Sequence, residues 1–186
     1  MDSGNRQKRQ VRGNVEHDIR KGRIEELEQI MALIAECIRV MREGGSDQWD
    51  ESYPNAEIIT EDIERGTLYV WEEDGAPAAI LVLDENQAEQ YGEIEWVQPE
   101  GPNLIMHRLA VHPRVQGKGI ARRLVAFAEN FAAEQGYKSI RMDTYAKNAK
   151  ALELYRRLGY EIRGEVKFPG RTANFPVMEK ILASAG

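Results

Sequence analysis

Residues 103–131 read NLIMHRLAV, then HPRVQGKG, then IARRLVAFAENF. An apolar run with strand character meets Pro113, two glycines follow, and Ile120, Leu124, Phe127 and Phe131 then recur at helical spacing. A strand that passes through a tight turn straight into an amphipathic helix demands layered packing, with the helix laid back on a sheet.

The rest of the chain supplies that sheet. The stretch 16–22 reads as a short first strand. A first helix runs from Ile24 through Leu27, Ile30, Met31, Ile34, Ile38 and Met41 to the glycines at 44 and 45. A second covers 56–65. Strand patterns at 67–73 and 77–85 flank Asp74-Gly75, a strong hairpin signal. The segment 92–98 is expected to extend the sheet. Strand 138–145, helix 146–159 and strands 160–166 and 175–182 complete an α/β (α+β) domain with helices on both faces of a mixed sheet.

At 186 residues one domain is expected, over 15–186. The first 14 residues, MDSGNRQKRQVRGN, are polar and basic and read as a disordered leader. A net charge of −6 argues against a general nucleic-acid binder but leaves room for a local cationic patch. The one cysteine, Cys37, excludes an intrachain disulfide and fits the core of the first helix. No run approaches the ~20 apolar residues of a membrane span, and no secretory signal pattern is seen. Cytoplasmic residence without a membrane partner is the default. Three histidines and one cysteine, with no HExxH or CxxC spacing, predict no metal site.

The glycine turn invites an anion. The first turn of a helix has unpaired N–H groups and a positive dipole end, where a phosphate fits well. Gly117 and Gly119 let it approach the backbone, and Arg114, Lys118, Arg122 and Arg123 add charge. Neither GxxxxGK[ST] nor GxGxxG is present, since Ser or Thr does not follow Lys118 and position 122 is Arg. Arg-x-x-Gly-x-Gly remains, a string that also serves a plain strand-to-helix turn. Downstream, Asn148 and Tyr155 lie seven residues apart, which puts both on one helix face about 10 Å apart. A capping Asn and a core Tyr would be the bland account of that pair.

HRLAVHPRVQGKGIARRL followed by NAKALELYRRLGYE resembles the GCN5-related N-acetyltransferase (GNAT) superfamily over nearly all of residues 17–182. That resemblance implies a mixed, mostly antiparallel twisted sheet of about six to seven strands. It implies acetyl-CoA as acyl donor. Backbone amides from Gln116 through Gly117, Lys118, Gly119 and Ile120 to Ala121 would hold the pyrophosphate. Leu109, Ala110 and Val111 would offer strand backbone to the pantetheine arm, which Asn148 would also hydrogen-bond. Tyr155 would protonate the leaving thiolate.

An alkylammonium of pKa near ~10 is almost wholly protonated at pH 7, so amine acetylation needs a base. Histone-acetylating members place a glutamate where Ile105 stands here. Arylalkylamine acetyltransferases carry a histidine at the position of His107, which suits a base acting through water. Glu93 and Glu95 are rival bases, with Glu95 also placed against the substrate, and His112 reads as a turn residue. Trp49 and Tyr53 are expected to wall the acceptor pocket, with Asp47, Asp50 or Glu51 attracting the ammonium. The acceptor is a small-molecule or peptide amine, and the protein a monomer or homodimer. The competing reading is a non-catalytic acyl-CoA sensor or interaction module.

Overall fold

The structure, a computed structural model, describes residues 19–183. The expected leader over 1–14, and residues 15–18 at the domain's start, lie outside them. The described chain begins with β1 (Ile19–Lys21), a 3-10 turn (Ile24–Glu26), α1 (Leu27–Glu43) and α2 (Ala56–Glu64). The antiparallel strands β2 (Leu68–Glu73), β3 (Ala76–Asp84) and β4 (Asn103–Val111) follow, then α3 (Ile120–Glu134), β5 (Ser139–Asp143), α4 (Ala149–Arg157), β6 (Glu161–Val166) and β7 (Phe175–Ile181). One seven-stranded sheet results, in the order β1-β2-β3-β4-β5-β7-β6. Only β4 and β5 are parallel; the other neighbours are antiparallel.

Period-two alternation divides the core between the two faces. Leu68, Val70, Ile80 and Val82 pack beneath α1 and α2, against Ile30, Leu33, Ile34 and Ile59. Tyr69, Trp71, Ala79 and Leu81 face the opposite way, against α3 and α4. Each large aliphatic side chain so buried contributes about 1.5–3 kcal/mol. Asp74 and Gly75 both take positive φ, 53° and 78°, as the expected tight hairpin between β2 and β3 requires. Among the described residues no helix is long and apolar enough to cross a membrane.

One expected strand is absent. Residues 92–98 form the end of a 3-10 turn (Glu89–Glu93) and an irregular crossing over the sheet face. Side chains from the sheet, rather than a neighbouring strand, satisfy this segment. Glu179 of β7, fully buried, accepts from the Val97 and Gln98 amides at 3.0 and 3.3 Å. Arg141 of β5 stacks on Trp96 at 3.9 Å and donates to the Gln98 carbonyl and the Gln87 side chain. Glu93 and Glu95 consequently stand exposed on this crossing.

Candidate active site

The site is built where the sheet opens. β4 and β5 pair only from Asn103–Ile105 to Ser139–Arg141, although β4 runs on to Val111 and β5 to Asp143. The register between β3 and β4 slips between the pairs Ile80–Ala110 and Val82–His107, which inserts one extra residue into β4. Arg108 sits in that bulge at φ 47°. A non-glycine residue there costs about 1–3 kcal/mol. Its guanidinium is clamped by Asp62 of α2, with Nε and Nη2 each donating at 2.7 Å, and Nη1 donates to the Tyr53 hydroxyl at 3.1 Å. Beyond the bulge the His112 amide donates back to Ala78 on β3. Alternation then turns the peptide groups of Val111 and Leu109 away from β3, toward the gap. A cavity of about 1130 Å³ fills the gap. That exceeds the ~300–1,000 Å³ typical of a single small-ligand pocket and leaves room for two reactants.

The glycine turn closes one end. Gln116, Gly117 and Ala121 line the cavity, as do Leu109, Ala110 and Val111. Gly117 and Gly119 adopt φ 82° and 77°, and a Cβ on either would meet no atom within 4 Å, so the turn fronts open space. Gly119 is the N-cap of α3, whose first N–H groups are free for an anion. None of the cationic side chains expected here, Arg114, Lys118, Arg122 and Arg123, lines the cavity. Lys118 pairs with Glu73 at 2.6 Å, Arg123 lies over Trp71, and Arg114 is exposed. Ile120 buries its side chain in the core. Arg114, Lys118, Gly119 and Ile120 do not line the cavity, so this end offers it backbone groups and no guanidinium or ammonium. His112 is the expected turn residue, its Nδ1 accepting from the Arg114 amide.

Asn148 and Tyr155 share the opposite wall. Asn148 caps α4 through its side-chain oxygen, which accepts from Ala151 at 3.1 Å, and its amide NH₂ remains as a donor. Tyr155 is 5% exposed. Burial, with the Asp143 carboxylate nearby, pushes its phenol well above the ordinary value, so it holds its proton throughout the neutral range. His107 lines the same space, and its Nε2 lies 2.8 Å from Asp84 at the end of β3. Against the desolvation that would raise it, the His107 bond keeps the Asp84 carboxyl below its usual value. With Nε2–H given to Asp84, Nδ1 carries the lone pair.

Trp49 and Tyr53 line the cavity as expected, Trp49 serving also as core against α1 and α2. Glu95 does not, which removes it from the pocket along with Glu93. Nor do Asp47, Asp50 and Glu51 face the cavity. Asp47 accepts from Tyr145, Thr172 and the Thr172 amide, Asp50 pairs with Arg171 at 2.7 Å, and Glu51 pairs with Arg42. The first two tie the loop after α1 to the loop between β6 and β7. Asp84, Asp143, Tyr91, Arg108 and Arg171 went unnoticed in the sequence, because an Asp closing an apolar strand looks like any strand end.

Comparison with known proteins agrees with this geometry. Residues 27–160 match the acetyltransferase (GNAT) family. The uncharacterized N-acetyltransferase YesJ of Bacillus subtilis is 30% identical over 142 residues, 75% of this chain and 79% of that protein. A GNAT-family acetyltransferase structure from Streptococcus agalactiae superposes with a TM-score of 0.77 at 30% identity, over 89% of this chain and 95% of the other. The PaiA N-acetyltransferase of Thermoplasma acidophilum, solved in complex with coenzyme A, shares the fold at a TM-score of 0.67 and 19% identity, over 88% and 98% of the two chains. The chain belongs to the GNAT acetyltransferase family.

Proposed function

We propose that the protein transfers an acetyl group from acetyl-CoA to a primary amine. The observation that carries this reading is the single cavity onto which the glycine turn, the free edge of β4, Asn148, Tyr155 and His107 all open. The donor fits the residues present: the open space before Gly117 and Gly119 suits a pyrophosphate on backbone amides. The Leu109 peptide groups, the Val111 N–H and the Asn148 NH₂ suit an amide-bearing arm, as in strand addition, while the Val111 carbonyl already accepts from Gln116 Nε2 and Cys37 Sγ. When bound, the donor supplies an acetyl thioester open to attack by nitrogen.

The chain supplies the proton handling. Nδ1 of His107, oriented by Asp84, takes the proton that an ammonium must lose before it can attack. Tyr155, still protonated at neutral pH, gives a proton to the departing thiolate, and the second proton that the attacking nitrogen sheds on becoming an amide restores the phenol. Trp49 and Tyr53 wall the acceptor side. Acetyl-CoA consumption across a panel of primary amines, with mass spectrometry of the products, tests the reading. Acetylated amine is expected. Coenzyme A binding without turnover on any amine would put a sensor in its place.

A further inference from the structure

We infer that Asp143 docks the ammonium of the acceptor, and that the acceptor carries a single positive charge. This rests on the acetyltransferase reading and narrows its substrate class. Asp143 ends β5 at the point where β4 has already parted from it. Among the described residues it is the one carboxylate that lines the cavity. The carboxylates near the acceptor loops are spent on Tyr145, Thr172, Arg171 and Arg42, as described above.

Asp143 is held for the task. The Tyr91 hydroxyl donates to its Oδ2 at 2.6 Å, while Oδ1 accepts from no protein group among the described residues. Tyr91 is itself 3% exposed and is set in place by the crossing segment, whose Trp96 indole donates to the Tyr91 carbonyl. Burial raises the Asp143 carboxyl above its usual value, opposed by the Tyr91 bond and the nearby His107, and burial together with Asp143 raises the Tyr155 phenol. An ammonium on Oδ1 would therefore sit within the field of both the group that removes a proton and the group that gives one.

The rest of the lining explains why one charge is the limit. Arg108, Lys147, Lys150 and Arg171 open onto the same cavity, three of them paired with carboxylates outside it (Asp62, Asp47 and Asp50), and among the described residues no second carboxylate lines it. Arg171 gives only Nη1 to Asp50, so its other N–H groups stay available to an acceptor. A polyamine would bring a second ammonium into a lining that has no carboxylate left to meet it. A monoamine whose remainder is neutral or anionic meets no such penalty.

Titration calorimetry on the full chain saturated with coenzyme A decides this, using phenethylamine, 4-aminobutanoate and spermidine. At least one monoamine is expected to bind about 10-fold or more tighter than spermidine. Asp143→Asn keeps the shape and an acceptor for Tyr91 but removes the charge. It should weaken that monoamine about 10- to 100-fold, as loss of a charge-assisted hydrogen bond does, with coenzyme A affinity and melting temperature unchanged. In turnover the loss should fall on KM for the amine more than on kcat. Tyr91→Phe, a change in a positioning residue, should weaken the monoamine several-fold and less than Asp143→Asn. Spermidine binding as tightly as both monoamines, no monoamine binding, or wild-type amine affinity in Asp143→Asn would each overturn the inference. Monoamine binding through Asp143 without acetyl transfer would instead overturn the acetyltransferase reading and leave the docking assignment standing.

Discussion

In the proposed reaction two side chains carry the proton transfers, and their surroundings differ in kind. Tyr155 sits in a dry wall that keeps its phenol protonated, so Tyr155→Phe removes the proton without disturbing the packing. We expect kcat to fall about 10²–10⁴-fold, with the acetyl-CoA dissociation constant and melting temperature unchanged. A thiolate of pKa near ~8.5 leaves tolerably without help, which favours the low end. Because the phenol is shifted upward, it stays protonated above its usual pKa of 10.0, so it cannot produce an alkaline fall in rate between pH 7 and 9. His107→Ala should also lower kcat about 10²–10⁴-fold, measured under amine saturation. Wild-type kcat in that variant would move the base elsewhere. Tyr155 is a candidate from the family's helix motif and His107 from a position shared with arylalkylamine acetyltransferases; Asp84, 2.8 Å from His107, falls on neither.

At the scale of elements, the turn into α3 and the start of the chain each rest on a local device. Gly117 needs left-handed backbone, so Gly117→Val strains the turn and sets a branched side chain in the space before the backbone amides. Acetyl-CoA affinity should fall at least about 10-fold on calorimetric titration, while far-ultraviolet circular dichroism stays native. At the other end, Arg20 of β1 donates to Glu26 and Glu72, tying β1 to the 3-10 turn before α1. The Arg20 bond, against desolvation, holds the Glu26 carboxyl at about 2, below the ordinary 4.5. A depressed carboxyl stabilises the fold above the unfolded value, and the benefit is lost as pH falls through the folded one. Melting temperature should therefore drop between pH 4.5 and about 2, with a slope that Glu26→Gln makes shallower.

Across the whole molecule, the Arg141–Glu179 pair joins the central sheet to the crossing segment that carries Tyr91. Both side chains are nearly inaccessible, at 3% and 0% exposure. Glu179→Ala would leave the Arg141 charge buried and two backbone amides without an acceptor. Removing one partner of such a pair costs about 3–5 kcal/mol, readable as a lower urea midpoint. Hydrogen exchange should rise first at Val97 and Gln98, whose amides Glu179 holds. Equal exchange in both proteins would mean that the crossing stays in place without this anchor.

The sequence by itself determined the order of elements, the hairpin at Asp74-Gly75, the glycine turn and the phase that puts Asn148 and Tyr155 on one wall. All of these follow from periodicity or backbone conformation within a few neighbouring residues. What only the tertiary structure decided involves partners distant along the chain. Residues 92–98 alternate like a strand, yet buried side chains 43 and 81–82 residues away take over their hydrogen bonds. Asp47, Asp50 and Glu51 look ready for an ammonium, yet other groups claim them. Asp143 lines the cavity where β4 has parted from β5, with Tyr91 its one side-chain hydrogen-bond donor among the described residues. Charge in a sequence is visible, but whether it is already neutralised depends on which side chains the fold brings within hydrogen-bonding reach.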